Sequence, residues 1–373
     1  MKKSLFCNIK SKQKVFLLNQ SQASSCCRAL PIPISAISTI ENLVEVWEQE
    51  KMQLSQGTAV PSCQLCWKDE QSGQISYRQM QSHKTPVNEI QLSVSNACNQ
   101  MCSYCSPKYS STWQKNIQQH GNFVKVSTTA QLNLTLHGTR LNAIHWLSQI
   151  QNHLATMEDD SVNLTLLGGE PLMQIDFLKQ MLAWCDKKIA KLNIITNLVP
   201  PNNKFLLWMV NHFNKDKLKI YVSLDAAPDF NHVPRAGFKK NVFDQNLDIL
   251  LQHQIDFEFQ AVVSVLNFFA LDSYYKWLAT VNKPITLNQL NNPECLNTNL
   301  IPDKFRVPIL NILKSHPVPD FVLQNPKVEN LIDLKLKEQY NYLTQYFERT
   351  GTNVNTIHAE FNQYWAWLEG KYK

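Results

Sequence analysis

Glycine is scarce in this sequence, at nine of 373 residues. A glycine pair in so poor a background marks a place where the backbone needs a left-handed turn or a close approach. No run of 18 or more apolar residues occurs, so no transmembrane helix is expected. The opening Met1-Lys2-Lys3 starts like a secretory signal, but Lys10, Lys12 and Lys14 break the apolar stretch before an h-region develops. The expected location is the cytoplasm. A compact basic patch with interleaved aromatics is also missing, which argues against a nucleic-acid partner. Lys plus Arg is 36 against Asp plus Glu 30, a net +6 too dispersed to define a binding face and mildly favourable to an acidic or peptide partner. Hydrophobic residues at 44% and charged residues at 18% exclude intrinsic disorder. The length gives room for two domains and a large core, which excludes a disulfide-stapled miniature scaffold.

Cysteine, by contrast, is abundant and clustered, with ten residues. In a cytoplasmic chain these are reduced, and their spacing is to be read for metals. From about residue 90 to 290, short β-like runs alternate with stretches of helical period. Six strands are expected, at 89–95, 163–167, 192–196, 218–224, 257–266 and 285–290. Helical spacing lies between them, as in Leu141, Ile144, Leu147, Ile150 and Leu154, or Phe243, Leu247 and Leu250. The alternation predicts right-handed βαβ units, a parallel sheet and an α/β fold, a partial (β/α)6 barrel. Chemistry in such barrels sits where the strands end, and Cys98, Gly168, Asn197, Ser223 and Asp225 all fall there.

Three domains are expected: a small cysteine-rich module at 1–85, the barrel at 86–300 and a helical C-terminal extension at 301–373. The module holds a hairpin-like stretch near Val15 to Leu18, prolines at 31 and 33, and a helix over 40–54. Residues 106–138 read as a polar insertion, a partly ordered loop over the site. The final aromatic run, Tyr364-Trp365-Ala366-Trp367, is expected to pack on the barrel.

Cys98, Cys102 and Cys105 spell C-x3-C-x2-C on the loop leaving the first barrel strand. Three soft ligands in eight residues suit an iron–sulfur cluster or zinc. A structural zinc is closed by four ligands, whereas three thiolates on a cuboidal cluster leave one iron open for another molecule. With Tyr104 before the last cysteine, this motif resembles the signature of the radical S-adenosylmethionine (SAM) superfamily. The resemblance extends to Gly168-Gly169-Glu170-Pro171 after the second strand, the only Gly-Gly in the chain, and to Ser223, Asp225 and Arg235 around the end of the fourth. It implies that Cys98, Cys102 and Cys105 hold a [4Fe–4S] cluster whose fourth iron takes SAM, and that Gly168, Gly169, Glu170 and Pro171 meet the methionine ammonium. It further implies Ser223 and Asp225 for the SAM ribose and Arg235 for its carboxylate. Asn197 ranks below these, with helix capping as its alternative role, and strand termination and a surface ion pair are the plainer readings of Ser223, Asp225 and Arg235.

Upstream, Cys63 and Cys66 form a C-x2-C knuckle, joined by Cys7 and the adjacent Cys26 and Cys27. That is enough thiol for a complete tetrahedral site. The order of one cysteine, a hairpin, a second cysteine, a helix and C-x2-C is similar to the SPASM or twitch auxiliary-cluster modules of radical SAM proteins, here placed before the barrel. The resemblance implies a second [4Fe–4S] cluster on Cys7, Cys26, Cys63 and Cys66. A structural zinc and unligated thiols stay open, and Cys26 is preferred to Cys27. Cys185 and Cys295 read as core residues, with a hydrogen-donor or ligand role for Cys295 as the alternative.

The resemblance implies reductive cleavage of SAM to methionine and a 5′-deoxyadenosyl radical, fed by a one-electron reductant such as flavodoxin or ferredoxin, with hydrogen abstraction from substrate. A peptide or protein substrate, oxidised or cross-linked, is the leading expectation. A small metabolite derived from a sugar or nucleotide is the second, and a non-catalytic iron–sulfur or zinc partner protein the third.

Overall fold

The computed structural model describes residues 5, 7–73, 75–80, 88–127, 143–156, 162–174, 178–179, 189–290, 292–323, 332–354 and 357–373. Cys185 lies outside them. In chain order the strands among these residues are β1 (Gln13–Leu17), β2 (Gln22–Ser24), β3 (Ile32–Pro33), β4 (Asn88–Ser93), β5 (Met101–Cys102), β6 (Val162–Leu166), β7 (Ile189–Thr196), β8 (Leu218–Ser223), β9 (Arg235–Ala236), β10 (Asp256–Val263) and β11 (Ile285–Gln289). The six expected barrel strands are β4, β6, β7, β8, β10 and β11, each within a few residues of its predicted bounds. The fold is α/β with a mainly parallel sheet of partial-barrel type, followed by C-terminal helices. The chain divides into two compact units, Met1–Asn96 with Leu136–Ile195 and Phe213–Lys219, and Ala97–Thr135 with Thr196–His212 and Ile220–Lys373.

The first unit carries the strand order β7-β6-β4-β1-β2-β3. β1, β4, β6 and β7 run parallel, and β2 and β3 are antiparallel additions. One face is apolar in register, with Phe16 opposite Leu92, Leu92 opposite Leu166 and Leu166 opposite Ile194. The helix Ile40–Ser55 covers it, capped by the Thr39 hydroxyl accepting from Asn42 N–H, with Leu43 and Trp47 turned inward. Trp47 meets Phe16 edge-on at 6.0 Å between ring centroids. The helix Ala143–Thr156 adds buried Trp146, Leu147 and Ile150, and its Gln149 side chain accepts from Ile40 N–H at 2.6 Å.

A boundary at residue 85 cuts this unit. β1 reads as an ordinary strand, and its backbone groups pair with β4 over five residues, Gln13 opposite Glu89 through Leu17 opposite Ser93. β1, from the cysteine-rich segment, thus shares a sheet with β4.

In the second unit the order is β8-β10-β11, with β10 and β11 parallel, and β5 and β9 form a separate antiparallel ribbon. The expected loop at 106–138 contains a helix, Ser111–His120, started by the Ser110 hydroxyl accepting from Trp113 N–H and ended by Gly121 at φ 73°. Residues 128–138 fall outside the description. The C-terminal extension contains the helices Asp303–Leu313, Ile332–Thr350 and Ala359–Tyr372. Tyr364 from the aromatic run is fully buried, stacked on Phe269 at 5.6 Å and edge-on to Phe305 at 5.4 Å, as its apolar bulk demands.

Candidate functional site

The C-x3-C-x2-C loop is fixed by its backbone. β5 pairs Cys102 with Arg235 and Met101 with Ala236, and Ser103 N–H donates to Pro234 O at 2.8 Å. The helix that follows the loop bends back to hold it. Cys98 N–H donates to Ser111 Oγ at 3.1 Å, Thr112 Oγ1 donates to Cys98 O at 2.6 Å, and Trp113 Nε1 donates to Cys102 O at 2.9 Å. Cys105 N–H closes a turn onto Cys102 O at 3.0 Å. Cys102 is buried, while Cys98 and Cys105 are half-buried. Burial pushes the Cys105 thiol up, and the nearby Cys102 and Cys98 add to the effect.

Asp225 and Arg235 meet under this loop. Asp225 is fully enclosed, and its Oδ2 accepts from Arg235 Nε at 2.7 Å and from Tyr104 OH at 2.8 Å, while Oδ1 accepts from Val262 N–H at 2.9 Å. The Arg235 guanidinium also donates to Tyr104 OH, lies 5.7 Å from the Tyr104 ring centroid, and points Nη1 at Cys102 Sγ, 3.6 Å away. Burial works against the Arg235 charge, yet the Asp225 carboxylate holds its pKa well above the ordinary value. Burial raises Tyr104 as well. The resemblance pointed these two side chains outward, at the SAM ribose and carboxylate. The structure pairs them with each other, as an enclosed carboxylate requires a compensating cation. Their hydrogen bonds buttress the cysteine loop. Ser223, half-buried at the end of β8, carries none of these bonds.

Asn197 does not cap the helix that follows. Its Nδ2 donates to Asn99 Oδ1 at 3.0 Å, inside the cysteine loop, and its Oδ1 accepts from Val199 N–H at 2.8 Å. Asn99 in turn donates to Val199 O. Two residues that sequence reasoning missed complete the cradle. Tyr342 and Tyr346, fully buried on the helix Ile332–Thr350, donate to Ser103 O at 2.6 Å and to Met101 O at 3.1 Å. A Tyr-x3-Tyr spacing is all that the sequence shows of them, and on a helix that spacing reads only as one face.

In the first unit, Gly168 and Gly169 both have positive φ, 79° and 54°. A Cβ on Gly168 would lie 1.8 Å from Ser93 Oγ, so the turn needs glycine to pass the end of β4. Glu170 is fully buried, and its side chain accepts from Leu172 N–H at 3.0 Å, starting a 3-10 turn with buried Pro171 at its first position. The same unit has a polar sheet face that the sequence reading passed over. Glu89 accepts from Gln13 at 2.7 Å, Gln91 at 3.1 Å and Thr165 at 2.9 Å, and Asn193 donates to Thr165 at 3.2 Å. Its signal was the alternation of Glu89, Gln91 and Ser93 with Ile90 and Leu92. Parallel strands buried on both faces run continuously apolar.

Cys7, Cys26, Cys63 and Cys66 line one small cavity of the first unit. Cys27 is exposed and outside that lining. Burial pushes the thiols of Cys7 and Cys66 up, and that of Cys63 to about 11. Backbone N–H groups oppose this by facing the sulfurs: Lys10 and Ile9 at Cys7, Arg28 (3.3 Å) and Ala29 at Cys26, Arg78 at Cys66. Donors aimed at sulfur favour the thiolate, but all four thiols still stand above the ordinary value, Cys26 chiefly through the neighbouring Cys27 side chain and the others through burial. Cys295 is 1% exposed and core, its thiol pushed well up by burial.

Among the described residues no three His, Cys, Asp or Glu side chains converge tightly enough to hold a single metal ion. A tetrahedral zinc would need its sulfurs ~4 Å from one another. A cuboidal cluster takes each thiolate on a different iron and spreads them wider.

Residues 92–259 match the family model of the Radical SAM superfamily. An S-adenosylmethionine-dependent nucleotide dehydratase of Psychrobacter lutiphocae is 26% identical over 200 residues, which is 50% of this chain. The match takes in 61% of that relative, about three fifths of its length. Among solved structures, native anSMEcpe with bound AdoMet aligns with a TM-score of 0.43 at 14% identity, covering 61% of this chain and 60% of its own. Streptococcus suis SuiB bound to S-adenosylmethionine aligns with 0.40 at 12%, covering 75% and 60%.

Proposed function

We propose, from the match of residues 92–259 to the Radical SAM superfamily model, that this is a radical SAM enzyme, an oxidoreductase that modifies a peptide or protein and carries a second iron–sulfur cluster. The observation that carries the reading is the pair of thiol sites, one on a braced three-cysteine loop and one around a four-cysteine cavity. Cys98, Cys102 and Cys105 would hold the first cluster, and Cys7, Cys26, Cys63 and Cys66 the second. Bound there, the first cluster with SAM supplies a 5′-deoxyadenosyl radical for hydrogen abstraction. The chain's own part is to keep the loop rigid and the reacting groups aligned away from water. Gly168, Gly169, Glu170, Pro171, Ser223, Asp225, Arg235 and Asn197 remain the proposed contacts for SAM, and Asp225, Arg235 and Asn197 also brace the loop through their hydrogen bonds. A flavodoxin or ferredoxin type protein is the proposed reductant.

The relative's name favours a second reading, a nucleotide substrate. Electron balance separates the two. After hydrogen abstraction, oxidation of a substrate radical releases one electron and a proton, whereas loss of its neighbouring hydroxyl as water takes up one electron and a proton. A second cluster that accepts electrons therefore belongs with oxidation.

The test is anaerobic reconstitution with iron and sulfide, then measurement of 5′-deoxyadenosine with a nucleoside triphosphate set and with candidate peptides encoded beside the gene. About eight irons per chain and product formed only with peptide support the reading. Turnover with a nucleotide favours the second. Undiminished 5′-deoxyadenosine from Cys102→Ala would sink both.

A further inference from the structure

Three cations line the four-cysteine cavity: Lys10, Arg28 and Arg78. Each is backed by a carboxylate. Lys10 is 1% exposed, and its ammonium contacts Glu50 at 2.6 Å, Ser25 Oγ at 2.6 Å and Ser62 Oγ at 3.0 Å, which uses all three donors. Arg78 grips Glu70 in a fork, Nη2 to Oε2 at 2.6 Å and Nε to Oε1 at 3.1 Å, and lies over Trp67 at 4.9 Å. Arg28 pairs with Asp69 at 3.4 Å, and its Nε is buried without a partner among the described residues.

None of the three carboxylates belongs to the described lining. Each ion pair thus brings its cation, and not its carboxylate, to the lining that holds the four thiols. Local charge and hydrogen bonds to sulfur are among the levers that set a cluster's potential. Positive ends favour the more negatively charged, reduced state of whatever the four sulfurs hold.

We propose that Lys10, Arg28 and Arg78 form an oriented electropositive shell that makes the four-cysteine site an electron acceptor. This rests on the reading of that site as a second [4Fe–4S] cluster. The step balances: one electron enters the site, and the substrate radical that supplies it gives up that electron and one proton, the proton passing to water. Lys10, Arg28 and Arg78 are positioning residues, since they act through the site they surround.

The experiment is a redox titration of the reconstituted full-length protein, followed by electron paramagnetic resonance. Added SAM shifts the signal of the cluster it binds, so the unshifted signal reports the four-cysteine site. Lys10→Met and Arg28→Gln are expected to move that midpoint to more negative potential, and Glu50→Gln to move it the opposite way. Arg28 is the safer variant if Lys10→Met fails to fold, because its side chain is 37% exposed. Zinc in place of iron, or only one cluster signal, overturns the cluster reading. A second cluster whose midpoint stays fixed, or moves the same way in all variants, overturns this inference alone.

Discussion

Tyr342 reaches across 239 positions of sequence to donate its hydroxyl to Ser103 O at 2.6 Å, and so ties a C-terminal helix to the cysteine loop. Tyr346, one turn on, donates to Met101 O at 3.1 Å and to Val233 O at 2.9 Å. Tyr342→Phe keeps the ring and leaves a buried carbonyl without its donor, a loss of roughly 1–2 kcal/mol. The expected outcome is a lower denaturation midpoint and faster loss of iron to a chelator, with Tyr342→Phe/Tyr346→Phe worse than either alone. Iron release at the wild-type rate in the double variant would remove the helix from any part in holding the loop.

The Asp225–Arg235 pair is enclosed, with side-chain exposures of 0% and 9%. Breaking such a pair from one side strands a charge and costs ~3–5 kcal/mol. Asp225→Asn and Arg235→Gln should each destabilise by that order, and the double variant by less than the sum. Urea denaturation of the four proteins closes the cycle. Additive losses would mean that the two groups do not depend on each other, and that Arg235 is held for some other partner.

Much of this was legible beforehand, and the pattern of what was not is physical. Strand and helix periods follow from local burial, so β4, β6, β7, β8, β10 and β11 stand close to where the sequence puts them. Three cysteines in eight residues announced themselves, as did Cys63 with Cys66. Residue types at a strand end, however, do not say whether Asp225 faces a ligand or a neighbouring guanidinium. Tyr342 left no local trace, because its partner is a backbone carbonyl that any residue supplies. The hairpin-like stretch near Val15 to Leu18 stands as the antiparallel pair β1 and β2, but nothing local in Gln13–Leu17 shows that it also pairs with β4. The polar face of Glu89, Gln91 and Ser93 was written plainly in alternation and was read past.

Gly168 offers a test that separates two costs. At φ 79° an alanine is strained by roughly 1–2 kcal/mol. Its Cβ would also lie 1.8 Å from Ser93 Oγ and 2.6 Å from Ser93 Cβ, adding overpacking of ~1–3 kcal/mol. Gly168→Ala should therefore be markedly unstable, and Ser93→Gly in the same chain should recover the packing part but not the backbone part. If Ser93→Gly gives no recovery in thermal unfolding, the close approach at the end of β4 is not what demands glycine.

Alkaline pH should unfold the protein through its tyrosines. Burial raises Tyr104, Tyr274, Tyr342, Tyr346 and Tyr364 well above the ordinary value near 10, and pushes Tyr275 to about 12. In the unfolded chain these groups lose their protons near pH 10. Above that point the unfolded state binds fewer protons than the folded one, so stability falls as pH rises. The contribution is complete below pH 10 and drains away from there to 12 and beyond. In an ultraviolet titration of the apoprotein, the buried set should ionise only together with the loss of helical circular dichroism. Stepwise ionisation of the buried set with the helices intact would show that these hydroxyls, Tyr342 and Tyr346 included, open to solvent in the folded protein.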